Sequence, residues 1–236
     1  MKARIAVMFV VIILFLFVVP VSRATLIDSF DDVGSVSDSL GGGATTLNVV
    51  DIDIDDIIGT DRDMSLEVTS AVFSPMFEDS TLSVSGGLAT ISNEAGVAST
   101  AIFTWDGFTD FDLASTPSDD GFYLEAFNFG ATDGTVSIEA FDGAVSGIMS
   151  QVLSSSPGGT TLAFPFAFGD YSGVNFNSAD RVALTILSPA GSTMAFDFIQ
   201  TSNPSDPIPE PATMVLFGVG LLGLAGVSRK RFSHSK

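Results

Sequence analysis

Carboxylates are the main reactive side chains in the body of this 236-residue chain. The single histidine, His234, stands almost at the C-terminus, cysteine is absent, and no lysine lies between Lys2 and Lys230. The body therefore has no Ser-His-Asp triad, no thiolate or imidazole metal site, and no Schiff-base or Ser-Lys chemistry. A glycosidase needs only two carboxylates about 5–10 Å apart. Glu125 and Glu139 fall on adjacent predicted strands and could supply them, but no motif surrounds them, so the reading is of a chain that is not an enzyme. Calcium needs only oxygen ligands. Asp51-Ile52-Asp53-Ile54-Asp55-Asp56 begins like an EF-hand loop, yet Asp56 stands where glycine is required and Arg62 where the twelfth-position acid is required. A structural calcium is instead expected where the first and last strands of a sandwich meet, with Asp28, Asp31, Asp32 and Asp197 as candidate ligands; solvated carboxylates are the alternative. No other cofactor is expected. Sugar binding would use aromatic faces beside polar groups. Trp105, followed by Asp106-Gly107-Phe108, is one candidate, with Tyr123 and Tyr171; each could equally be core packing.

The charge distribution narrows the partners. Residues 25–208 hold 27 acidic and 2 basic side chains, a net charge of −25. Such a surface repels nucleic-acid phosphates and anionic lipid headgroups, favours solubility and attracts cations. Nucleic acid is excluded as a partner.

The elements that must position these residues read as strands. Residues 47–54, 64–68, 81–84, 88–92, 97–105, 122–129, 135–141, 148–153, 161–166, 182–187 and 193–199 are short runs, many of period two. In one of them Met64, Leu66 and Val68 share a face. Turn signals stand between the runs: Gly86-Gly87, Asp106-Gly107, Asp120-Gly121, Asp133-Gly134, Asp142-Gly143 and Pro157-Gly158-Gly159. No helical periodicity of useful length interrupts residues 25–201. The expected fold is all-β, a β-sandwich and more narrowly a jelly roll, with the 21 Phe residues of the chain feeding a core between two sheets. Gly41-Gly42-Gly43 lacks the context and the lysine of a phosphate loop and reads as a turn.

Both ends of the chain are apolar segments with basic flanks. Lys2 and Arg4 precede an apolar run at residues 5–19, and Ser22-Arg23-Ala24 follows Pro20. This is the pattern of a secretory signal peptide, residues 1–24, cut after Ala24; an uncleaved anchor is the alternative. A Pro- and Ser-rich spacer, residues 202–208, leaves the domain. Pro209-Glu210-Pro211 comes next, then an apolar stretch to Val227 with Gly218, Gly220, Gly223 and Gly226, then Arg229-Lys230-Arg231. About 16 residues at about 1.5 Å each give a helix of about 24 Å, short of a typical ~30 Å hydrocarbon core but able to span with thinning or snorkelling. The basic cluster should stay cytoplasmic. The flanking prolines hold Glu210 extended and out of the helix, as a protease cleft requires.

The order of spacer, Pro209-Glu210-Pro211, apolar run and Arg229-Lys230-Arg231 resembles the PEP-CTERM sorting signal of exopolysaccharide-producing Gram-negative bacteria, over roughly the last 30 residues. The resemblance implies that residues 209–236 are recognised by an exosortase, a membrane-embedded cysteine protease-transpeptidase, and cleaved near the motif. A plain C-terminal anchor is the alternative. Gly59-Thr60-Asp61-Arg62-Asp63, Trp105-Asp106-Gly107, Val174-Asn175-Phe176 and Phe196-Asp197-Phe198-Ile199 are also similar to exported sandwich proteins that carry this tail. The resemblance thus implies a chain exported through the inner membrane, held there transiently, then delivered to the cell surface or extracellular matrix. There its role would be structural or adhesive, with exopolysaccharide as a partner. A soluble carbohydrate-binding module is the alternative, and an acidic hydrolase stands third.

Overall fold

The computed structural model describes residues 25–39, 44–50, 57–59, 61–71, 79–115, 119–155 and 162–202. Ala24, the run at 51–56, Pro209, Glu210, Pro211, Arg229, Lys230 and Arg231 lie outside them.

The described chain is a β-sandwich. Its strands are β1 (Leu26–Asp28), β2 (Gly34–Ser39), β3 (Thr45–Val50), β4 (Asp61–Ala71), β5 (Asp79–Ser85), β6 (Leu88–Asn93), β7 (Val97–Trp105), β8 (Asp119–Asn128), β9 (Gly134–Asp142), β10 (Val145–Leu153), β11 (Leu162–Ala167), β12 (Arg181–Ser188) and β13 (Thr193–Ser202). One sheet runs β11-β8-β13-β6-β5-β2, with β1 on β13; the other runs β10-β9-β12-β7-β4-β3. All pairings are antiparallel. The last eight strands pair as nested arms: β6 with β13, β7 with β12, β8 with β11 and β9 with β10. A ribbon paired in this way and folded over itself is a jelly roll. Strands β2 to β5 widen both sheets on one side.

Alternation explains why these segments became strands. β7 reads buried and half-exposed in strict turn, with Val97, Ser99, Ala101, Phe103 and Trp105 inward. Residues of period two present one face to a core and the other to water. The inward faces of both sheets interleave Met64, Leu66, Leu82, Ile91, Phe103, Phe122, Ile138, Leu184 and Phe196. An aromatic cluster of Phe122, Phe168, Tyr171 and Phe176 closes the core under the 168–180 connection, with Phe168 and Phe176 stacked at 3.9 Å.

Several expectations are corrected. Asp120-Gly121 is not a turn; it lies inside β8. A side chain at Gly121 would sit 2.7 Å from the Phe166 carbonyl oxygen, so the glycine permits the close approach of β11. Asp106-Gly107 and Asp133-Gly134 mark crossings between sheets, not hairpins. By contrast, Gly86-Gly87 and the turn after Asp142 close hairpins, with Gly143 at a φ of 59°. The crossing at Asp133-Gly134 separates Glu125 and Glu139: β8 and β9 belong to different sheets. Both side chains stand on outward, half-exposed positions of opposite faces, so the carboxylate pair does not form.

Candidate functional site

Among the described residues, three centres contain chemistry-bearing side chains. The first is buried. Arg62 on β4 is fully buried, in parity with Met64, Leu66 and Val68. Its Nη1 donates to both carboxylate oxygens of Asp28, at 2.7 and 2.6 Å, and its Nη2 donates to the Asp32 carbonyl oxygen at 2.8 Å. Trp105 Nε1 and the Phe30 backbone N–H also donate to Asp28, at 2.9 and 2.7 Å. The guanidinium lies over the Phe30 ring, 5.5 Å from its centroid, and Phe30 packs on Phe103 at 5.4 Å. Phe30 adopts a φ of 56°, a left-handed conformation disfavoured for a bulky residue. The Asp28 bond to its N–H and the ring's burial hold it there. Burial raises the Asp28 carboxyl above its usual range, outweighing the opposing pull of the Arg62 charge and of the three hydrogen-bond donors.

This node overturns two assignments. Trp105 is not a sugar platform, because its ring is fully buried and its N–H is spent on Asp28. Asp28 is not a calcium ligand, because a guanidinium already occupies both its oxygens. Tyr123 is likewise not a platform: it is 6% exposed and its hydroxyl donates to Asp120 at 2.7 Å. Tyr171 is also buried, and its phenol is pushed far above its usual range by burial and then by the Asp170 charge.

The second centre is where the first and last strands meet. β1 does pair with β13. Asp197 stands at the irregular stretch of β13 between Phe196 and Ile199. Partial burial and then the charge of Asp31 raise its carboxyl, so these two acids are neighbours. They remain a pair. Among the described residues no group of three or more His, Asp or Glu side chains lies close enough to hold a metal ion.

The third centre carries no motif in the sequence. A shallow depression of about 240 Å³ is lined by Asp106, Phe141, Gly143, Asp180 and Arg181. Adjacent strand ends assemble it. β7, β12 and β9 are neighbours, Arg181 is in register with Phe141, and Val182 with Trp105. The Arg181 guanidinium lies on the Phe141 ring, 3.5 Å from its centroid. Asp180 accepts the Gly143 N–H at 2.7 Å, which fixes the β9–β10 turn beside it. The result is a flat cationic plate on an aromatic base, flanked by two carboxylates. Guanidinium donors and carboxylate acceptors can together engage vicinal hydroxyls. The volume is below the roughly 300–1,000 Å³ of ordinary ligand pockets. Sequence signals existed: Arg181 is one of only two bases in residues 25–208, and Asp180 precedes it directly.

Residues 207–230 match the PEP-CTERM protein-sorting motif. This bears out the reading of the tail as a sorting segment. Among the described residues no helix is long and apolar enough to cross a membrane, and the tail lies outside them. No curated protein matches the chain. Among solved structures, the chain is similar to PfGH50B with 12% identity and a TM-score of 0.39, covering 59% of this chain and 23% of that one. It therefore spans less than a quarter of that protein. It is also similar to the family 30 carbohydrate-binding module of a cellulosomal cellulase of Clostridium thermocellum, at 14% identity and TM-score 0.38, over 77% of this chain and 98% of the module. A family 29 carbohydrate-binding module complexed with mannohexaose gives 16% identity and TM-score 0.35, over 76% and 92%.

Proposed function

We propose that this chain is an exported, exosortase-processed protein whose jelly roll has a structural or adhesive role in an exopolysaccharide matrix at the cell surface. The observation that carries the reading is the sorting motif over residues 207–230. The charge pattern supports it, because the strongly acidic body is bounded by basic clusters at both ends. A body that repels anionic headgroups stays in solution once its tail is cut. The expected result is a released protein that begins at Thr25 and has lost Arg229-Lys230-Arg231, read from the intact mass. Replacing Pro209, Glu210 and Pro211 together by alanine should leave the full tail on a membrane-bound form. A released protein still ending at Lys236 would overturn the sorting reading.

The depression at Arg181 favours a second reading within the same setting, a carbohydrate-binding module. Planar groups that offer both donors and acceptors match sugar hydroxyls, and the stacked Phe141 keeps the guanidinium in place. Arg181→Ala is expected to weaken retention on the producer's own exopolysaccharide by about tenfold, equivalent to ~1.4 kcal/mol. Affinity electrophoresis with the exported protein measures this. Equal migration of wild type and variant would remove the depression from the binding surface, and wild-type migration unaffected by polysaccharide would leave a passive matrix protein.

A further inference from the structure

Long exposed strand edges recruit other strands, and soluble sandwiches usually blunt them with charge, proline or shortness. Among the described residues the edge strands longer than three residues are β2, β11, β3 and β10, β1 being a three-residue strand on β13. Three carry such a device. β2 holds the inward-pointing Asp38, β11 contains Pro165 with no N–H to offer, and β3 has only six residues and runs into the Asp-rich 51–56 segment. β10 carries none. Its nine residues, Val-Ser-Gly-Ile-Met-Ser-Gln-Val-Leu, include no charge and no proline. Val145, Ile148 and Val152 stand 45%, 59% and 58% exposed along it.

We propose that β10 is the seat of symmetric self-association, pairing antiparallel with β10 of a second copy. The hydrogen-bonding parity of the strand sets the register. The two-residue turn Gly143-Ala144 makes Asp142 and Val145 a hydrogen-bonded pair, so every second residue from Val145 bonds to β9. The N–H and C=O groups of Ser146, Ile148, Ser150 and Val152 therefore point away from the sheet. No described residue pairs with that side of β10. A two-fold axis at Met149 sets Ile148 against Ser150 of the partner subunit and Ser146 against Val152 of the partner subunit. All four outward donors and all four outward acceptors of each copy are then satisfied, and two six-stranded sheets become one.

Charge selects a second copy as the occupant. Copies with a body charge of −25 repel one another, so contact requires a strip without carboxylates. β10 is such a strip. The nearest acid on that face, Glu139, lies one strand inward, opposite Ile148. Across the joint the two Glu139 side chains are about 14 Å apart at about 4.8 Å per strand, beyond the ~8 Å screening length of physiological salt. The partner must also bring an unpaired edge of its own, and among the described residues β10 is the long unblocked one. Such pairing is isologous and closes at a dimer.

The absence of cysteine gives a clean test. In this register Met149 faces Met149 of the partner subunit as a non-hydrogen-bonded pair, with Cα atoms about 4.5 Å apart, within disulfide reach. The exported protein with Met149→Cys is expected to cross-link to a dimer on mild oxidation, whereas a control with Thr46→Cys on the β3 edge is not. By sedimentation velocity the unmodified protein should form dimers whose dissociation constant falls as salt rises from about 0.01 to about 0.5 M, because repulsion is screened. Ile148→Lys, at an exposed position, should raise that constant by about tenfold or more, while circular dichroism, and melting at concentrations where both proteins are monomeric, stay unchanged. A monomer at every concentration and salt would overturn the proposal. Equal cross-linking of the two cysteine variants, or association beyond the dimer that survives Ile148→Lys, would also overturn it.

Discussion

Asp28→Ala is expected to destabilise the jelly roll by about 3–5 kcal/mol, a large part of a typical domain's stability. The substitution leaves Arg62 fully buried with its charge uncompensated and removes the acceptor used by Trp105 and Phe30. Phe30 then loses the contact that holds its backbone at a φ of 56°. Urea denaturation of the exported protein measures the loss; Asp106→Ala on the exposed rim is the comparison. Equal midpoints for the two variants would show that the node does not hold the fold. Replacing the pair together, Asp28→Leu with Arg62→Met, is expected to recover only the part due to the uncompensated charge, because the buried Trp105 and Phe30 N–H groups still lack their acceptor.

Acid should act on the same node in a defined direction. Burial raises Asp28, and burial with the Asp31 charge raises Asp197, above the ordinary aspartate value of 3.8. The folded state therefore binds these protons more tightly than the unfolded chain. Their stabilising contribution is full below 3.8 and is lost as pH rises through the raised values. Asp133 has the opposite shift, because it accepts the Ser155 N–H at 2.7 Å, and its contribution fades only as pH falls below 3.8. As pH falls toward 3.8 the folded state takes up these protons before the unfolded chain does, so the melting temperature should increase over that approach. The gain should shrink in Asp28→Asn.

Strand positions were largely legible because the inward residues are apolar and alternate. The run at residues 97–105 is β7 itself, and 88–92 and 182–187 fall within a residue of β6 and β12. β2 was not legible. Its inward positions are Gly34, Val36 and Asp38, and only one of these is a hydrophobic side chain. Gly34 is there because a side chain would meet Val49 Cγ2 at 2.7 Å, and Asp38 because its carboxylate accepts the Val68 N–H. The jelly roll's crossings were not legible either, since Asp-Gly marks a hairpin after Asp142 and a sheet change after Trp105 and Asp133 with the same two residues. The site was obscured for a related reason. Trp105 and Tyr123 stand out by residue type, but Trp105 shares the parity of Phe103 and Ala101, which places it inward. The same parity on β4 places Arg62 beside Met64, a base on a core face that needs an acid in reach. Asp28 and Arg62 are 34 residues apart, and only the fold brings them together.

Asn93→Ala is expected to cost about 3 kcal/mol, at the end of the sandwich remote from Arg62. Asn93 closes β6, and its amide joins both sheets. Its Oδ1 accepts from Ser80 on β5 at 2.6 Å and from Ser99 on β7 at 2.8 Å. Its Nδ2 donates to the Ser188 carbonyl and hydroxyl oxygens, at 3.0 and 3.1 Å, and to the Pro189 carbonyl at 3.0 Å. Ser80, Ser99, Ser188 and Ser192 are all buried, so alanine leaves polar groups beyond the reach of water. Ser80 and Ser99 keep their mutual bond at 3.0 Å, and Ser192 still holds Ser188 and the Pro189 carbonyl, which limits the loss. Asn93→Asp separates acceptor from donor roles. It retains the bonds from both serines but turns an anion toward two carbonyl oxygens, so it should destabilise at neutral pH and recover partly in acid. If both variants melt with the wild type, the amide is not the link between the sheets. If alanine alone is tolerated, the aspartate effect is one of charge rather than of lost donors.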